Sequence, residues 1–340
     1  MRLIVWNRWR EIRVLFPLNP CSRQYFNLWK QFDLSSGKSL FDIRNDFYRS
    51  LSSAGALGVL APDSAGTPSA TISDGNNARS REIGYMMVKG LGADELKARA
   101  GPQGAGKIFE QCVATYLDNA LRPLGHLAPG GFSVERVKMA RAVKEISKHI
   151  PYEHLGILAE LIRSNDELES VVGNIYEVDP DVIVLRQQFS DDQLESNVEG
   201  FLEGRVSQRS KIRSGGEEGV SPAILHAVIS CKWTLRSDRA QNARSEALGL
   251  IRNRKGRLPH ICVVTAEPLP SRIQSLAMGT GDIDAVYHIA LDELESAVGE
   301  IDPGPRWVRG EDVSQGKILK SMIDGDRLKD ISDLPIDLLI

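Results

Sequence analysis

The stretch "LHAVISCKWTLRSDRAQNARSEALGLIRNRKGRLPHICVVTA" (225–266) decides the fold, because it passes from an apolar strand through a charged segment and a helix into a second strand. Within it we predict a strand over 225–233, a helix from Ala240 to Arg254 and a strand over 260–266. Strands that alternate with helices in this way predict an α/β fold, in which helices cover both faces of a central mixed β-sheet.

The same alternation continues on both sides of this stretch. Apolar runs predict strands over 181–185 ("DVIVL") and 283–289 ("IDAVYHI"). Helical spacing of apolar residues predicts helices over 106–121, 154–162, 271–279 and 290–301. By contrast, residues 52–80 are rich in Ser, Gly, Ala and Pro, which is typical of a long loop or mobile segment. The α/β pattern therefore begins near Pro180.

The composition limits the class of protein. The chain has 340 residues, a formal net charge of −3, and 42% hydrophobic and 26% charged residues, as in an ordinary soluble globular protein. No apolar run reaches the length of a membrane span, and the four cysteines are scattered without a CxxC pair. We expect a cytoplasmic protein with reduced thiols. Because there is no overall positive charge, nucleic acid could be bound only through a local basic patch.

Lys232 lies inside the predicted strand 225–233, where a lysine needs a special reason. Side chains alternate between the two faces of a strand, so Lys232 shares a face with Ser230 and points away from the bulkier side chains. A buried lysine is costly unless a carboxylate pairs with it. The two candidates are Asp181, which opens the strand "DVIVL", and Glu246, which borders the sheet-facing side of the following helix.

A lysine between two carboxylates suits the hydrolysis of a phosphodiester. The carboxylates of Asp181 and Glu246 would bind Mg²⁺, which prefers oxygen ligands, and the metal would lower the pKa of a bound water and stabilise charge on the phosphate. Lys232 would position that water or stabilise the developing charge. The alternative is structural: Asp181 caps a strand end and Glu246 forms an ordinary surface pair. The local residues alone leave both interpretations open.

The segment "RSDR" links the first strand to the helix. Arginine can bind the O6 and N7 of guanine through two hydrogen bonds, and aspartate can accept one from the amino group of cytosine. Arg236, Asp238 and Arg239 are therefore candidate readers of G·C pairs in a major groove. Ser237 or Asp238 could instead cap a helix that begins near Ala240, which would leave the two arginines unexplained.

The segment "GPQGAGKI" (101–108) matches a phosphate-binding loop up to its last position. Ile108 stands where Ser or Thr should hold Mg²⁺, and the preceding "DELKARA" lacks the apolar strand that such a loop follows. A nucleoside triphosphatase is therefore an alternative with an incomplete motif. A serine hydrolase has no support, because the G-x-S-x-G motif is missing.

After about residue 39 the sequence resembles the NgoMIV-type type II restriction endonucleases, the group that reads a CCGG core. The likeness is dense from "SCKWTLRSDRAQNARSEALG" through "HICVVTAEPLPSR" to "IDAVYHIALDELE", and it returns in "SDGNNARS", "GPQGAGKIFE", "PDVIVLR" and the tail "GDRLKDISDLPIDLLI". It implies a PD-(D/E)xK restriction-endonuclease-like fold, with a central mixed β-sheet flanked by helices. It also implies an endonuclease domain over 39–340, preceded by an extension over 1–38 that has no counterpart.

The resemblance further implies roles for particular residues. Ser230 occupies the usual second acidic position of the strand, and Glu246 on the helix replaces that carboxylate. The implied active site consists of Asp181, Lys232, Glu246, Glu110 and Ser230, with a metal held by Asp181, Glu246 and the backbone carbonyl of Cys231. The implied DNA-recognition residues are Arg236, Asp238 and Arg239 for the CCGG core, Arg272 for the outer G·C pair, and Gln103 and Asp74 for further contacts.

The activity that the resemblance implies is Mg²⁺-dependent hydrolysis of double-stranded DNA at the palindrome GCCGGC, cut after its first G to leave four-base 5′ overhangs. A twofold palindrome matches a twofold homodimer, and the family implies that two such dimers form a homotetramer. A companion DNA methyltransferase would belong to the same restriction-modification system, and no membrane partner is expected. A DNA-binding protein that does not cleave is the alternative from another class, and the intact Asp181, Lys232 and Glu246 argue against it.

Overall fold

The structure is a computed structural model of the chain. It describes residues 37–64, 66–96, 100–128, 131–137, 146–172, 180–214, 222–279, 281–308 and 311–340. The predicted extension over 1–38 therefore falls almost wholly outside the described residues, and its role stays a prediction. Residues Leu40–Ile340 form one compact unit. Within the described ranges no helix is long and apolar enough to cross a membrane.

The strands of the described residues form one large sheet and two short hairpins. They are β1 (Val59–Leu60), β2 (Ser69–Ala70), β3 (Phe132–Arg136), β4 (Val182–Arg186), β5 (Ile224–Lys232), β6 (His260–Thr265), β7 (Ala285–His288), β8 (Trp307–Val308), β9 (Glu311–Asp312) and β10 (Leu328–Asp330). The large sheet has six strands in the order β10-β7-β6-β5-β4-β3. β5, β6, β7 and β10 are parallel neighbours, whereas β4 runs antiparallel to both β5 and β3.

Helices lie on both faces of this sheet. They are α1 (Leu40–Ser53), α2 (Ala78–Gly90), α3 (Pro102–Leu121), α4 (Glu153–Arg163), α5 (Asp166–Val172), α6 (Asp191–Leu194), α7 (Ser237–Asn253), α8 (Pro270–Ala277), α9 (Leu291–Ile301), α10 (Gln315–Asp324) and α11 (Leu334–Asp337), with a 3₁₀ helix over Arg122–Leu127. On one face of β5, the ring of Phe109 from α3 packs edge-on against Trp233, with centroids 5.0 Å apart. On the other face, Ser230 contacts Glu246 of α7.

The predicted α/β fold with a central mixed sheet is confirmed. The four strands predicted over 181–185, 225–233, 260–266 and 283–289 are observed as β4, β5, β6 and β7, with their ends shifted by one or two residues. The helix predicted from Ala240 begins earlier, at Ser237, with Arg236 as its N-cap residue. Neither Ser237 nor Asp238 is therefore the N-cap that the structural alternative required.

The prediction of a long loop over 52–80 is confirmed only in part, because most of its described residues lie in turns and irregular segments but two short strands and the start of a helix interrupt them. β1 and β2 pair within it as a short antiparallel hairpin, and α2 begins at its end. Leu57 and Ile72 are fully buried on either side of the hairpin. Asn77 accepts a hydrogen bond from the backbone of Ser80 at 3.0 Å and so caps α2. A few buried apolar residues thus fix a segment that is otherwise polar.

The chain segments that carry the predicted site residues meet at one edge of the large sheet. The carboxyl ends of the parallel strands β5 and β6 lie side by side, since Lys232 pairs with Thr265. β4 runs in the opposite direction, so its amino end, beginning at Val182, meets the carboxyl end of β5. Open sheets of this kind bind ligands beyond the carboxyl ends of their parallel strands. The predicted active-site strands and the "RSDR" segment therefore share one edge.

Candidate active site

Lys232 and Asp181 form the centre of the candidate active site. Lys232 is the last residue of β5, and its Nζ lies 3.2 Å from Oδ2 of Asp181, which directly precedes β4. The same Oδ2 atom accepts a hydrogen bond from the backbone N–H of Cys231 at 2.6 Å. Both side chains are largely buried, with 14% of Lys232 and 15% of Asp181 exposed. The antiparallel pairing of β4 with β5 thus brings together two residues that are far apart in sequence.

Glu246 reaches the same place from α7. Its Oε2 accepts a hydrogen bond from the Ser230 hydroxyl at 3.2 Å. Ala243, Ala247 and Leu250 of the same helix are buried in the hydrophobic core. Ser230 and Lys232 share one face of β5, so the helix carboxylate approaches the strand where an acidic strand residue would otherwise stand. The structural alternative of an ordinary surface pair does not fit, because Glu246 faces the sheet and is half-buried.

Glu110 approaches from the opposite face, and it has an arginine partner that the sequence did not reveal. Its Oε2 accepts hydrogen bonds from Nε and Nη2 of Arg136, at 3.1 and 2.8 Å. Arg136 is the last residue of β3 and pairs in register with Val182, next to Asp181. A lone arginine in "FSVERV" carries no local pattern that would have singled it out. It adds a cation to the same sheet edge.

The charges of the site act on one another. Burial lowers the pKa of Lys232, but the carboxylates of Asp181 and Glu246 outweigh that effect and raise the pKa above its usual value. Lys232 is therefore a cation in the metal-free protein, suited to holding an anion. Burial also raises the pKa of the Cys231 thiol well above its ordinary value, so this thiol is not a nucleophile.

The donor set fits a hard divalent cation with few protein ligands. No group of three His, Cys, Asp or Glu side chains in the described residues could hold a metal ion. Two carboxylates, Asp181 and Glu246, nevertheless stand at one sheet edge beside the backbone of Cys231. Mg²⁺ is commonly bound by one or two carboxylates, with water and phosphate oxygens completing the shell. The ligands predicted for it, Asp181, Glu246 and the carbonyl of Cys231, are compatible with this pattern.

A cleft of about 600 Å³ opens beside this site, between the starts of α7 and α8. Its lining residues are Asp74, Leu235, Arg236, Ala240, Gln241, Arg244, Ser271, Arg272 and Ser275. Three of the predicted recognition residues, Asp74, Arg236 and Arg272, thus face one space. Gln241, Arg244 and Ser275 were not predicted, although their helical spacing from Arg236 and Arg272 places them on the same faces.

Arg272 and Asp74 bind each other across the cleft. Nη2 of Arg272, in the first turn of α8, donates a short hydrogen bond to Oδ2 of Asp74. This bond is the main reason that the pKa of Asp74 is lowered from its usual value. Asp74 lies in the turn before α2, and Gly84 of that helix leaves no room for a Cβ, which would come within 2.5 Å of the Ser73 hydroxyl. This close approach packs the turn against α2, and the bond from Arg272 joins the turn to the start of α8.

The remaining predicted recognition residues are described only in part. Nη1 of Arg239 donates to both the backbone oxygen and the hydroxyl of Thr234, each at 3.1 Å. The side chains of Asp238 and Gln103 lie outside the described residues, so their roles stay predictions.

The phosphate-binding loop alternative is wrong. α3 runs from Pro102 to Leu121, so most of "GPQGAGKI" is helix rather than loop. The backbone N–H of Ala105, for example, donates to the carbonyl of Gly101 at 2.9 Å. Backbone N–H groups that are used within a helix cannot cradle phosphates, because a phosphate-binding loop needs them unpaired. No nucleotide site therefore forms at this segment.

The mixed sheet, with a lysine and carboxylates at one edge and an arginine-lined cleft beside them, has the architecture of a restriction endonuclease. Residues 56–340 match the family described as NgoMIV restriction enzyme. The chain is also 43% identical over 282 residues to the type II restriction enzyme NgoMIV of Neisseria gonorrhoeae, a match that covers 83% of this chain and 93% of that relative. The chain therefore belongs to the NgoMIV restriction enzyme family. It is a type II restriction endonuclease, a metal-dependent nuclease with DNA as its substrate.

Proposed function

We propose that this enzyme cleaves double-stranded DNA at the palindrome GCCGGC, after the first G, with Mg²⁺ as its metal ion, and leaves four-base 5′ overhangs. The proposal rests on one observation: two groups of residues lie at the same edge of the sheet. One group is Asp181, Lys232 and Glu246, with Lys232 Nζ 3.2 Å from Asp181. The other is the cleft lined by Arg236 and Arg272.

Each side chain of the active site has a distinct part in this proposal. Asp181, Glu246 and the carbonyl of Cys231 would hold Mg²⁺, and Ser230 orients Glu246 by donating to its Oε2 at 3.2 Å. A bound Mg²⁺ ion supplies a Lewis acid that activates water and stabilises charge on the phosphate. Lys232 is held as a cation by its carboxylate neighbours and stabilises the negative charge that develops on the scissile phosphate. Glu110, which is paired with Arg136, would be a further carboxylate of the active site.

Base recognition would come from the two helix starts beyond the carboxyl ends of β5 and β6. Arg236, Asp238 and Arg239 read the CCGG core through guanine and cytosine edges in the major groove. Arg272, together with Asp74 and Gln103, adds the outer contacts. Because the two readers stand on different helices, the inner and outer base pairs are recognised by separable groups.

The assembly follows from the symmetry of the target. One chain reads half of a palindrome, so a twofold homodimer is the smallest complete reader. We further propose that two dimers form a homotetramer that holds two duplexes. A companion methyltransferase would protect the same sequence in a restriction-modification system, which places both enzymes with the DNA in the cytoplasm.

Cleavage of a sequenced plasmid tests the proposed target and metal together. The purified full chain is incubated with plasmid and Mg²⁺, and the fragment ends are sequenced. We expect every end to fall after the first G of GCCGGC, and a chelator to stop the reaction. Ends at another sequence would contradict the target, and unchanged cleavage with chelator would contradict the metal. Retarded but intact DNA would instead indicate a DNA-binding protein without cleavage.

A further inference from the structure

Glu267 is a fully buried carboxylate that has no part in the chemistry described above. It follows β6 by two residues, in the segment "AEPLP", whose residues are all buried. A buried carboxylate in apolar surroundings is costly unless hydrogen-bond donors surround it. Because its side chain is closed off from solvent, Glu267 cannot touch DNA. Its contacts must explain its presence.

Those contacts join the two segments that carry the base readers. Oε2 of Glu267 accepts a hydrogen bond from the backbone N–H of Leu235 at 2.7 Å, one residue before Arg236. Oε1 accepts one from the N–H of Leu269 at 3.2 Å, and it lies 3.7 Å from Nη1 of Arg272. One carboxylate therefore binds the approach to α7 with one oxygen and the start of α8 with the other.

The position of Glu267 explains why a side chain is needed there. The pairing of β5 with β6 ends at Lys232 and Thr265, so the N–H of Leu235 has no strand partner. Buried backbone N–H groups need an acceptor. Glu267 supplies it, and its own N–H is held by the hydroxyl of Thr265 at 3.2 Å. The Glu267 side chain thus joins the segments that follow β5 and β6, beyond the last hydrogen bond between the two strands.

We infer that Glu267 is a positioning residue for sequence recognition, which fixes the inner reader segment and the outer reader Arg272 relative to each other. The inference rests on the proposed function, since it takes Arg236, Arg239 and Arg272 as base readers. Glu267 acts through Leu235, Leu269 and Arg272, and it makes no contact with substrate.

The variant Glu267→Gln tests the inference with almost no change of shape. An amide has only one acceptor oxygen, so either Leu235 or Leu269 loses its partner. A buried N–H left unpaired costs enough to change an equilibrium about 10-fold or more. The measured quantity is the cleavage rate at the preferred site divided by the rate at the same site with a changed outer base pair. We expect this ratio to fall about 10-fold in Glu267→Gln. An unchanged ratio would overturn the inference.

Asp330→Asn is the matched control. Asp330 is also a buried carboxylate, 9% exposed, and its two oxygens accept from the backbone N–H groups of Leu291 and Ser332 at 3.0 and 2.9 Å. It lies on β10, which is the outer strand on the opposite side of the sheet from β3. We expect both variants to lower the thermal midpoint and only Glu267→Gln to lower the ratio. A ratio that falls equally in both would show that Glu267 merely stabilises the fold.

The experiment distinguishes a wrong target sequence from a wrong role of Glu267. The preferred site is first mapped with the wild-type enzyme, and the ratio is then measured on whichever sequence it cuts. A preferred site other than GCCGGC would contradict the proposed target, and the effect of Glu267→Gln on that site would still decide the role of Glu267. If the wild type cleaves nothing, the same ratio is read as equilibrium binding of the two duplexes in Ca²⁺.

The pH dependence of the same ratio in the wild-type enzyme is a second test, and it does not depend on the folding of a variant. Burial raises the pKa of Glu267 to about 7, and protonation removes one acceptor, just as the amide does. The charged and titratable groups that face Glu267 do not change charge in this range. Arg272 is a cation, and Asp74, whose pKa is lowered, stays ionised. Burial lowers the pKa of His288 on β7 to about 4, so His288 stays neutral.

The wild-type ratio should therefore fall as the pH is lowered from about 8.5 to about 6, since Glu267 gains its proton in that window. Dividing the two rates removes any pH dependence that both substrates share. In Glu267→Gln the ratio should be low and independent of pH. An equal slope in both proteins would overturn the inference, because the pH dependence would then not come from Glu267.

Discussion

In the proposed mechanism, the chemistry depends most directly on Lys232. We expect Lys232→Ala to lower the cleavage rate by about 100-fold or more, because the cation that stabilises charge on the phosphate is lost. Binding of the specific duplex in Ca²⁺ should persist, because the base readers stand on other elements. Gel shift and single-turnover cleavage measure the two effects. Lys329→Ala, which removes a lysine bound to Asp337 at 2.9 Å on β10, serves as the control.

If Lys232→Ala retained the cleavage rate of the control, the assignment of Lys232 would be wrong. Loss of binding together with cleavage would instead indicate that the lysine mainly holds the local fold through Asp181.

Glu246 tests whether a helix carboxylate has taken the place of a strand carboxylate. Glu246→Ala should reduce cleavage by about 100-fold or more and raise the Mg²⁺ concentration needed for half-maximal rate, because a direct metal ligand is lost. Adding Ser230→Glu to that variant should restore part of the rate, since Ser230 and Glu246 already touch. Ser245→Ala, an exposed change on the same helix, is the control. Full activity in Glu246→Ala would exclude the helix carboxylate.

Local sequence was enough for some residues of the site and not for others. Lys232 stands out as a charge in an apolar strand, and Arg236 as part of a charged helix start. Glu267 and Arg136 carry no such signal, because their partners lie 32 residues away at Leu235 and 26 residues away at Glu110. Only tertiary contacts make them important. The metal and base-reading roles of the predicted residues remain predictions.

The sequence predicts best those strands that are buried on both faces. β4 is a run of apolar residues before Arg186, β5 is mostly apolar, and nearly all residues of both strands are buried. β1 and β2 have two residues each, too few for any periodicity, so the sequence predicts a loop there. β3 is five residues long and only partly buried, so its apolar content gave no signal. Pairing with β4 decides its conformation.

Arg272, in the first turn of α8, is the proposed reader of the outer G·C pair. Arg272→Ala should lower the rate ratio of GCCGGC to ACCGGT, while the inner CCGG remains required. A lost bidentate contact between arginine and guanine costs roughly 1–3 kcal/mol of discrimination per half-site. Cleavage rates on the two duplexes measure the ratio. The control is Arg79→Ala, which breaks a comparable ion pair with Asp302 at 2.6 Å, away from the cleft lining.

An arginine that contacts only phosphate would behave differently. Its loss would weaken binding to all sequences alike and lower the salt dependence of binding. An unchanged rate ratio in Arg272→Ala would therefore exclude this residue as the outer reader.

The assembly of the chains into dimers and tetramers should govern the cleavage rate. If two dimers form the active enzyme, a plasmid with two sites should be cut faster than a plasmid with one, because one site leaves half of the binding clefts empty. Short specific duplexes added in trans should then speed up cleavage of the one-site plasmid. Rate measurements are paired with the mass of the protein in solution. Equal rates on both plasmids together with a dimeric mass would contradict the tetramer.

The ion pair between Arg272 and Asp74 has a consequence for how the enzyme searches DNA. While the pair is intact, the two charges nearly cancel, so this part of the surface adds little to sequence-independent attraction by phosphates. Opening the pair frees both side chains at once, and only a site that offers each of them a base compensates for the lost bond. In the predicted roles, the two contacts therefore form together or not at all. With these roles, the enzyme would scan DNA with Arg272 paired to Asp74 and would separate the pair only at the right sequence.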